Sequence, residues 1–114
     1  MPDHEVTIKM NESLVEWVIE NLCKNAVDAM EGKGKIILTL TVERNLAVIE
    51  VSDNGKGIRK KDIKHVFTPG FTTKQRGWGL GLSLARRIVE DYHKGKIFVK
   101  SSELGKGTIF RVEL

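Results

Sequence analysis

Residues 11–30 read NESLVEWVIENLCKNAVDAM, and this stretch decides which class of fold the chain can form. Its apolar residues recur every three or four positions, as on one face of an α-helix. They are Val15, Val18, Ile19, Leu22, Ala26 and Ala29. Asn11-Glu12-Ser13 supplies capping side chains at the start, and the Gly-Lys-Gly at 32–34 ends the pattern. The stretch therefore predicts a long amphipathic helix over residues 12–30.

Short runs rich in Ile, Val and Thr surround this helix and predict strands. The predicted strands are residues 5–10, 35–43, 46–52, 96–101 and 108–114. A short helix is expected at 60–66 and a second long helix at 80–93, with a loop over 67–79 between them. Runs of strands separated by helices favour an α+β two-layer sandwich, with the helices on one face of a mixed sheet. A single domain over residues 1–114 is expected.

Composition excludes several classes of function. The 114 residues are 40% hydrophobic, which is typical of a globular protein and not of a disordered one. No apolar run is long enough to span a membrane, and the first residues show no apolar leader. Cys23 is the single cysteine, which excludes an internal disulfide. The net charge of +4 is too low and too scattered to indicate nucleic-acid binding.

A polar stripe runs beside the apolar face of the first helix. Asn21, Asn25 and Asp28 are spaced so that they lie on one line along the helix. Amide oxygens suit a hard cation such as Mg²⁺ that phosphate groups also hold. The alternative is a helix edge whose side chains only form hydrogen bonds within the protein.

The segment DNGKGI at 53–58 directly follows a predicted strand. A carboxylate at a strand end, here Asp53, can accept a hydrogen bond from an exocyclic amine such as adenine N6. The glycines at 55 and 57 let a flat ring approach the backbone. Asp-Asn-Gly is also a good turn sequence, so a simple turn is the alternative.

Two more glycine-rich segments stand near predicted element ends. GWGLGLS at 77–83 opens the second long helix, where free backbone N–H groups and the helix dipole favour a phosphate. A flexible connector is the alternative reading, and the segment matches neither a Walker loop nor a dinucleotide fingerprint. GKGT at 105–108 is a turn that leads into the last strand. The hydroxyl of Thr108 could reach a ligand, and the alternative is that Thr108 is an ordinary strand residue.

Five segments together resemble the N, G1, F, G2 and G3 boxes of the catalytic and ATP-binding domain of sensor histidine kinases. In order they are NLCKNA at 21–26, DNGKGI at 53–58, FTPGFTTK at 67–74, GWGLGL at 77–82 and GKGT at 105–108. The wider superfamily, known as GHKL, includes type II topoisomerases and MutL-type ATPases. The resemblance implies its Bergerat fold, a mixed sheet of about five strands under about three helices.

The same resemblance implies how the base of ATP is held. Asp53 would bind adenine N6, and Gly57 and Thr108 would hold a water molecule to the ring. Ile58 would line the adenine pocket, and Gly55 belongs to the same motif.

At the phosphate end, the resemblance implies that Asn25 coordinates Mg²⁺ and that Asn21 assists at the phosphates. Residues 67–79 would form a mobile lid, with Thr73 and Lys74 near the phosphates. The glycine-rich segment completes the expected ATP-binding set with Gly77, Gly79, Leu80, Gly81 and Leu82. Of these, the residues at 79, 80 and 81 would donate backbone N–H groups.

Two positions depart from the pattern of related proteins. Asn21 stands where the ATPase branches carry a glutamate that activates water, and Glu20 lies about 100° round the helix from it. Poor hydrolysis is therefore expected, which suits a kinase. Asp28 stands where many histidine kinases carry a lysine; the ATPase branches often have Asp there. It is counted among the ATP-binding residues.

The family transfers the γ-phosphate of ATP to a histidine on a separate helical hairpin, so no catalytic residue is assigned in this chain. His4 lies in a predicted strand, whereas His65 and His93 are expected to be structural, the latter as a cap at a helix end. The chain is thus expected to be an excised cytoplasmic piece of a sensor, membrane-bound or not, without its dimerisation and sensor parts. It should be monomeric and inactive alone, without direct membrane contact.

Its expected partners are the dimerisation and acceptor domain of the parent kinase and a response regulator. Two alternatives remain open. One is an anti-sigma-factor type of serine kinase with the same fold. The other is a non-catalytic module that binds a nucleotide or a protein.

Overall fold

A computed structural model describes residues 11–31, 33–68 and 81–114. In chain order its elements are helix α1 (Glu12–Ala29), strands β1 (Ile36–Glu43) and β2 (Leu46–Asp53), a 3₁₀ turn (Ile63–His65), helix α2 (Gly81–Arg86), a π-helical segment (Arg87–Tyr92), and strands β3 (Lys96–Glu103) and β4 (Gly107–Glu113). The strands form one sheet and the helices cover one of its faces, which confirms the predicted α+β sandwich.

Helix α1 forms where the apolar spacing predicts it. The Asn11 side chain accepts a hydrogen bond from the backbone N–H of Leu14 at 3.1 Å and so caps the first turn. The helix ends before Met30, and Glu31 then takes a left-handed φ of 54°. Four residues of the predicted apolar face are buried, and they are Val15, Val18, Leu22 and Ala26.

The sheet has the strand order β1-β2-β4-β3, and every neighbouring pair is antiparallel. The predicted hairpin turn at Arg44 and Asn45 is confirmed, since both residues have a positive φ, as a tight two-residue turn requires. The prediction of a mixed sheet is therefore wrong for the described strands, because both hairpins and the β2–β4 pair are antiparallel. The predicted strand at 5–10 lies outside the described residues.

Two predicted helices take other forms. The segment 60–66 contains only a 3₁₀ turn, because its bonds, such as His65 N–H to Asp62 O, join residues three apart. In the second long helix, the half after Arg86 is π-helical. There the backbone N–H of His93 reaches the carbonyl of Ile88, five residues back, at 3.1 Å.

One hydrophobic core lies between the sheet and the helices. Leu22 of α1, Val51 of β2 and Ala85 of α2 are fully buried in it. Phe67 closes one side and meets Phe110 of β4 edge to face, with ring centroids 6.1 Å apart. Both helices bury their apolar faces in this core. They therefore hold the polar edge of α1 close to the end of β2 and the start of β4.

The opposite face of the sheet carries a network of ion pairs around Arg111. Its guanidinium contacts Glu113 at 2.8 Å, Glu50 at 2.9 Å and Glu43 at 3.3 Å. Lys100 also contacts Glu50, at 3.0 Å. The hydrogen bond from Lys100, together with those from Arg111, lowers the pKa of Glu50, and the carboxylates in turn raise the pKa of Arg111.

No helix within the described ranges is both long enough and apolar enough to cross a membrane. Cys23 is a free thiol on α1, and burial raises its pKa.

Candidate functional site

Asp53 is the last residue of β2 and is 8% exposed. Its Oδ1 accepts a hydrogen bond from the backbone N–H of Gly55 at 2.8 Å, which fixes the carboxylate where the strand ends. Among the described residues, no donor is bonded to its other oxygen. A buried carboxylate with one oxygen held and one available is an acceptor of fixed direction.

The loop after Asp53 packs on the last turn of α1. The backbone N–H of Lys56 donates to the carbonyl of Ala29 at 3.0 Å. A Cβ at Gly55 would lie 2.7 Å from the same carbonyl group, so only glycine fits there. Asn25 lies one turn before Ala29 on the same side of the helix. This packing brings the predicted metal ligand towards the loop that follows Asp53.

The β3–β4 turn contacts this loop from the other side. Gly57 has a φ of +78°, and a Cβ there would collide with the carbonyl oxygen of Glu103. Gly107 has a φ of +126°, and a Cβ there would collide with the carbonyl oxygen of Asp53. The backbone N–H of Gly105 also donates to the Lys56 carbonyl at 2.9 Å. The predicted segments 53–58 and 105–108 therefore form one site.

Thr108 completes this end of the site. It lies directly opposite Asp53 in the β2–β4 ladder and is 4% exposed. Its hydroxyl forms a 2.8 Å hydrogen bond with that of Ser102. Ser102 also accepts the backbone N–H of Ile58 at 2.8 Å, and Ile58 packs against the core.

The sequence analysis missed Ser102 because it ended the strand at 101. β3 continues to Glu103, and its register pairs Ser102 with Thr108. Extending the predicted hairpin by two residues towards its turn would have revealed this pair.

Asn21, the first residue of the polar stripe of α1, lies beside the start of α2. Asn21 and Asn25 are half-buried, whereas Asp28 and Glu20 are exposed. The Asn21 amide donates to the carbonyl of Trp17 at 3.0 Å. Its Oδ1 lies 2.9 Å from the position that a Cβ would take at Gly81. Two of the predicted segments, 21–26 and 77–82, therefore meet at Asn21 and Gly81.

Part of the predicted phosphate site falls outside the described residues. This part comprises Thr73, Lys74, Gly77, Gly79 and Leu80. Leu82 is described, and it packs against the core.

The described side chains can bind a divalent ion only if the nucleotide supplies further oxygen ligands to the same ion. Within the described ranges, no three His, Cys, Asp or Glu side chains come together as a metal cage. The half-buried amide of Asn25 offers a single hard oxygen. Mg²⁺ retains several water molecules and combines few protein ligands with phosphate oxygens, so this sparse set is compatible with it.

His93 has the structural role that its position predicts. Its Nδ1 lies 2.8 Å from the Ile88 carbonyl, and the backbone N–H of Asn11 donates to its Nε2 at 2.9 Å. The ring therefore connects the end of the π-helical segment to the cap of α1. His65 lies in the 3₁₀ turn, and His4 lies outside the described residues.

Comparison with known proteins gives the same family as the five segments. Residues 10–114 match the family described as histidine kinase-, DNA gyrase B- and HSP90-like ATPase. Sporulation kinase E of Bacillus subtilis (strain 168) is 39% identical over 101 residues, which are 88% of this chain and 13% of that protein. The sensor histidine kinase ZraS of Salmonella typhi is 43% identical over 112 residues, or 94% of this chain and 23% of ZraS. The chain thus spans less than a quarter of these relatives.

Solved structures agree with the fold. The catalytic domain of histidine kinase ThkA, in a nucleotide-free form, superposes with a TM-score of 0.84 at 34% identity, covering 98% of this chain and 74% of that one. Full-length ShkA in complex with AMPPNP gives a TM-score of 0.84 at 28% identity, covering 96% of this chain and 23% of ShkA.

Proposed function

The chain belongs to the histidine kinase-, DNA gyrase B- and HSP90-like ATPase family, and from this membership we propose that it binds Mg-ATP and presents the γ-phosphate to a histidine on a separate dimerisation domain. One observation carries the proposal. The buried carboxylate of Asp53 lies directly opposite the buried hydroxyl of Thr108, where the central strands β2 and β4 meet closely packed glycines.

At the adenine end, the free oxygen of Asp53 accepts a hydrogen bond from N6. Thr108, with Gly57, holds a water molecule against the same edge of the ring, and Ile58 lines its face. The close packing of Gly57 and Gly107 leaves no room for side chains that would displace these groups. The structural similarity to ShkA, solved in complex with AMPPNP, supports nucleotide binding.

At the phosphate end, Asn25 supplies an oxygen to Mg²⁺, with Asn21 and the start of α2 close by. The ion neutralises phosphate charge when it is bound. A Cβ built at Gly81 would lie 2.9 Å from Asn21 Oδ1, and this closeness supports one shared site for the two segments. The remaining proposed phosphate contacts are those of Asp28, Thr73, Lys74, Gly77, Gly79, Leu80 and Leu82.

A kinase fits better than a free-standing ATPase. Asn21 occupies the position of the water-activating glutamate, and its amide is bonded to the Trp17 carbonyl. Glu20 is exposed and turned to solvent. Because neither the amide of Asn21 nor the solvent-exposed Glu20 can activate water as that glutamate does, hydrolysis is slow and ATP is retained for a protein acceptor.

The proposed partners follow from this activity. They are the histidine-bearing dimerisation domain of a longer kinase and a response regulator, with the chain itself being a cytoplasmic, monomeric domain. The relatives are several times longer than the chain, which supports a multidomain parent.

Phosphotransfer can be tested with γ-³²P-labelled ATP and candidate histidine-bearing helical hairpins. We expect label on the hairpin that is lost in acid and retained in base, as for phosphohistidine. Acid-stable phosphoserine on an acceptor protein would favour the serine-kinase alternative. Failure to bind Mg-ATP, measured by calorimetry, would leave only a non-catalytic module.

A further inference from the structure

Ser102 lies at a junction of three hydrogen-bonding groups beside the proposed adenine pocket. Its hydroxyl oxygen is 2.8 Å from the Ile58 backbone nitrogen, 2.8 Å from Thr108 Oγ1 and 3.3 Å from the Gly107 carbonyl oxygen. The residue is half-buried and lies opposite Thr108 in the β3–β4 ladder. A single side chain thus connects β3, the loop after β2 and the strand that carries Thr108.

The hydroxyl hydrogens of Ser102 and Thr108 determine whether Thr108 can donate a hydrogen bond to a ligand. A serine hydroxyl has one hydrogen and two lone pairs, and the Ile58 N–H occupies one of the lone pairs. The serine hydrogen can go to Thr108 Oγ1 or to the Gly107 carbonyl. At 2.8 Å the first bond is within the usual O–H···O range, whereas at 3.3 Å the second is not. Either hydroxyl can donate in the 2.8 Å pair, but if Thr108 donated, the serine hydrogen would have only the long contact to the Gly107 carbonyl. With Ser102 as the donor, the hydrogen of Thr108 is available to the pocket.

We propose that Ser102 is a positioning residue that makes Thr108 a hydrogen-bond donor towards the base and so selects adenine over 6-oxopurines. The inference rests on the proposed nucleotide site. Adenine presents a donor at N6 and an acceptor at N1, whereas hypoxanthine and guanine present an acceptor at O6 and a donor at N1. Asp53 as acceptor pairs with N6 of adenine and is repelled by O6 of a 6-oxopurine. Thr108 as donor to the shared water leaves the hydrogens of that water to be donated, one of them to N1 of adenine.

The bond from Ile58 adds a second constraint. It fixes the backbone where the loop leaves Gly57, which has a left-handed φ of +78°. The same hydroxyl holds both Ile58, at the face of the proposed base, and Thr108, at its edge. The positions of these two residues are therefore coupled. Removing the hydroxyl leaves Thr108 free to rotate and to act as donor or acceptor.

The test compares affinities for ATP and inosine triphosphate by calorimetry with excess Mg²⁺. For Ser102→Ala we expect ATP affinity to fall by about five- to tenfold, with a much smaller loss for inosine triphosphate. The preference for ATP should therefore fall by about fivefold or more. Ser102→Thr keeps the hydroxyl and should restore the preference. Ser101→Ala, at the exposed neighbouring position, should leave both affinities unchanged.

Ser102→Cys keeps the side-chain volume but is a poor hydrogen-bond donor, so it serves if the alanine variant does not fold. We expect it to lose the preference as well. Equal weakening of both nucleotides in these variants would show a purely structural role and overturn the inference, while leaving ATP binding intact. A wild-type protein that binds neither nucleotide would overturn the proposed function itself, and this inference with it.

Discussion

Asp53 and Thr108 face each other across neighbouring strands, although they come from opposite halves of the chain. The C-terminal strand β4 inserts between β2 and β3, and this insertion places the threonine beside the carboxylate. Both residues are almost fully buried, so their directions are set by the sheet and not by solvent. The proposed base-binding pair therefore forms only because β4 lies next to β2 in the sheet.

Replacing Asp53 with Asn should abolish most nucleotide binding. The Asn side chain can still accept the Gly55 N–H through its carbonyl oxygen, so the loop should keep its shape. The charge is lost, and we expect Mg-ATP affinity to fall by about 10- to 100-fold. Calorimetry measures this directly. Asp62→Asn, which removes the charge of a partly buried carboxylate paired with Arg59 outside the site, is the matched control. Wild-type affinity in Asp53→Asn would refute the adenine assignment.

Replacing Asn25 with Ala should weaken binding only when Mg²⁺ is present. We expect about a tenfold loss of Mg-ATP affinity and little change in the affinity for ATP in EDTA. Thermal unfolding with nucleotide is a convenient measurement, because a ligand at 100 times its Kd adds about 2.7 kcal/mol of stability. Lys24→Ala, on the exposed side of the same helix, should keep the wild-type shift. Equal losses with and without Mg²⁺ would contradict a metal-binding role.

Gly107 and Gly105 offer a paired test of how closely the turn packs. Both have a positive φ, but a Cβ at Gly107 would collide with the Asp53 carbonyl, whereas Gly105 has open space around it. Gly105→Ala should therefore cost about 1 kcal/mol for backbone strain alone. Gly107→Ala should cost at least about 3 kcal/mol, because backbone must also move. Urea unfolding would give both values, and similar costs would argue against the close packing.

The ion network on the open face should make stability depend on pH. The hydrogen bond from Lys100 is the main cause of the lowered pKa of Glu50, whose usual value is 4.5. The stabilisation is therefore present at neutral pH and is lost as the pH falls through the lowered pKa. Lys100→Met should reduce the free energy of unfolding by roughly 0.5 to 1 kcal/mol at pH 7.

This difference in unfolding free energy between wild type and Lys100→Met should close as the pH falls below the lowered pKa of Glu50, where that carboxylate becomes protonated. Urea is uncharged, so urea unfolding over a pH series measures this difference in free energy without screening the charges. Lys106→Met removes a longer pair of 3.4 Å between two exposed side chains and should cost close to nothing at any pH. A constant difference down to pH 2 would show that the effect of Lys100 does not act through the charge of Glu50.

Local pattern was sufficient for much of the fold. The spacing of apolar residues around Leu22 predicted α1 to within one residue of its end, and Arg44 and Asn45 marked the first hairpin turn. The five segments also identified the family before any contact was visible. These features depend on neighbours within a few positions, where helix periodicity and turn preferences act directly.

Other features required the folded chain. The insertion of β4 beside β2, the junction at Ser102 and the carboxylates around Arg111 all join residues far apart in sequence. The ring of His93, at the end of the π-helical segment, likewise contacts both Ile88 and the distant Asn11. Sequence alone therefore predicted most of the elements and the candidate site residues on them. Tertiary structure decided which of them meet, because strand order is set by burying one shared core and not by local preference.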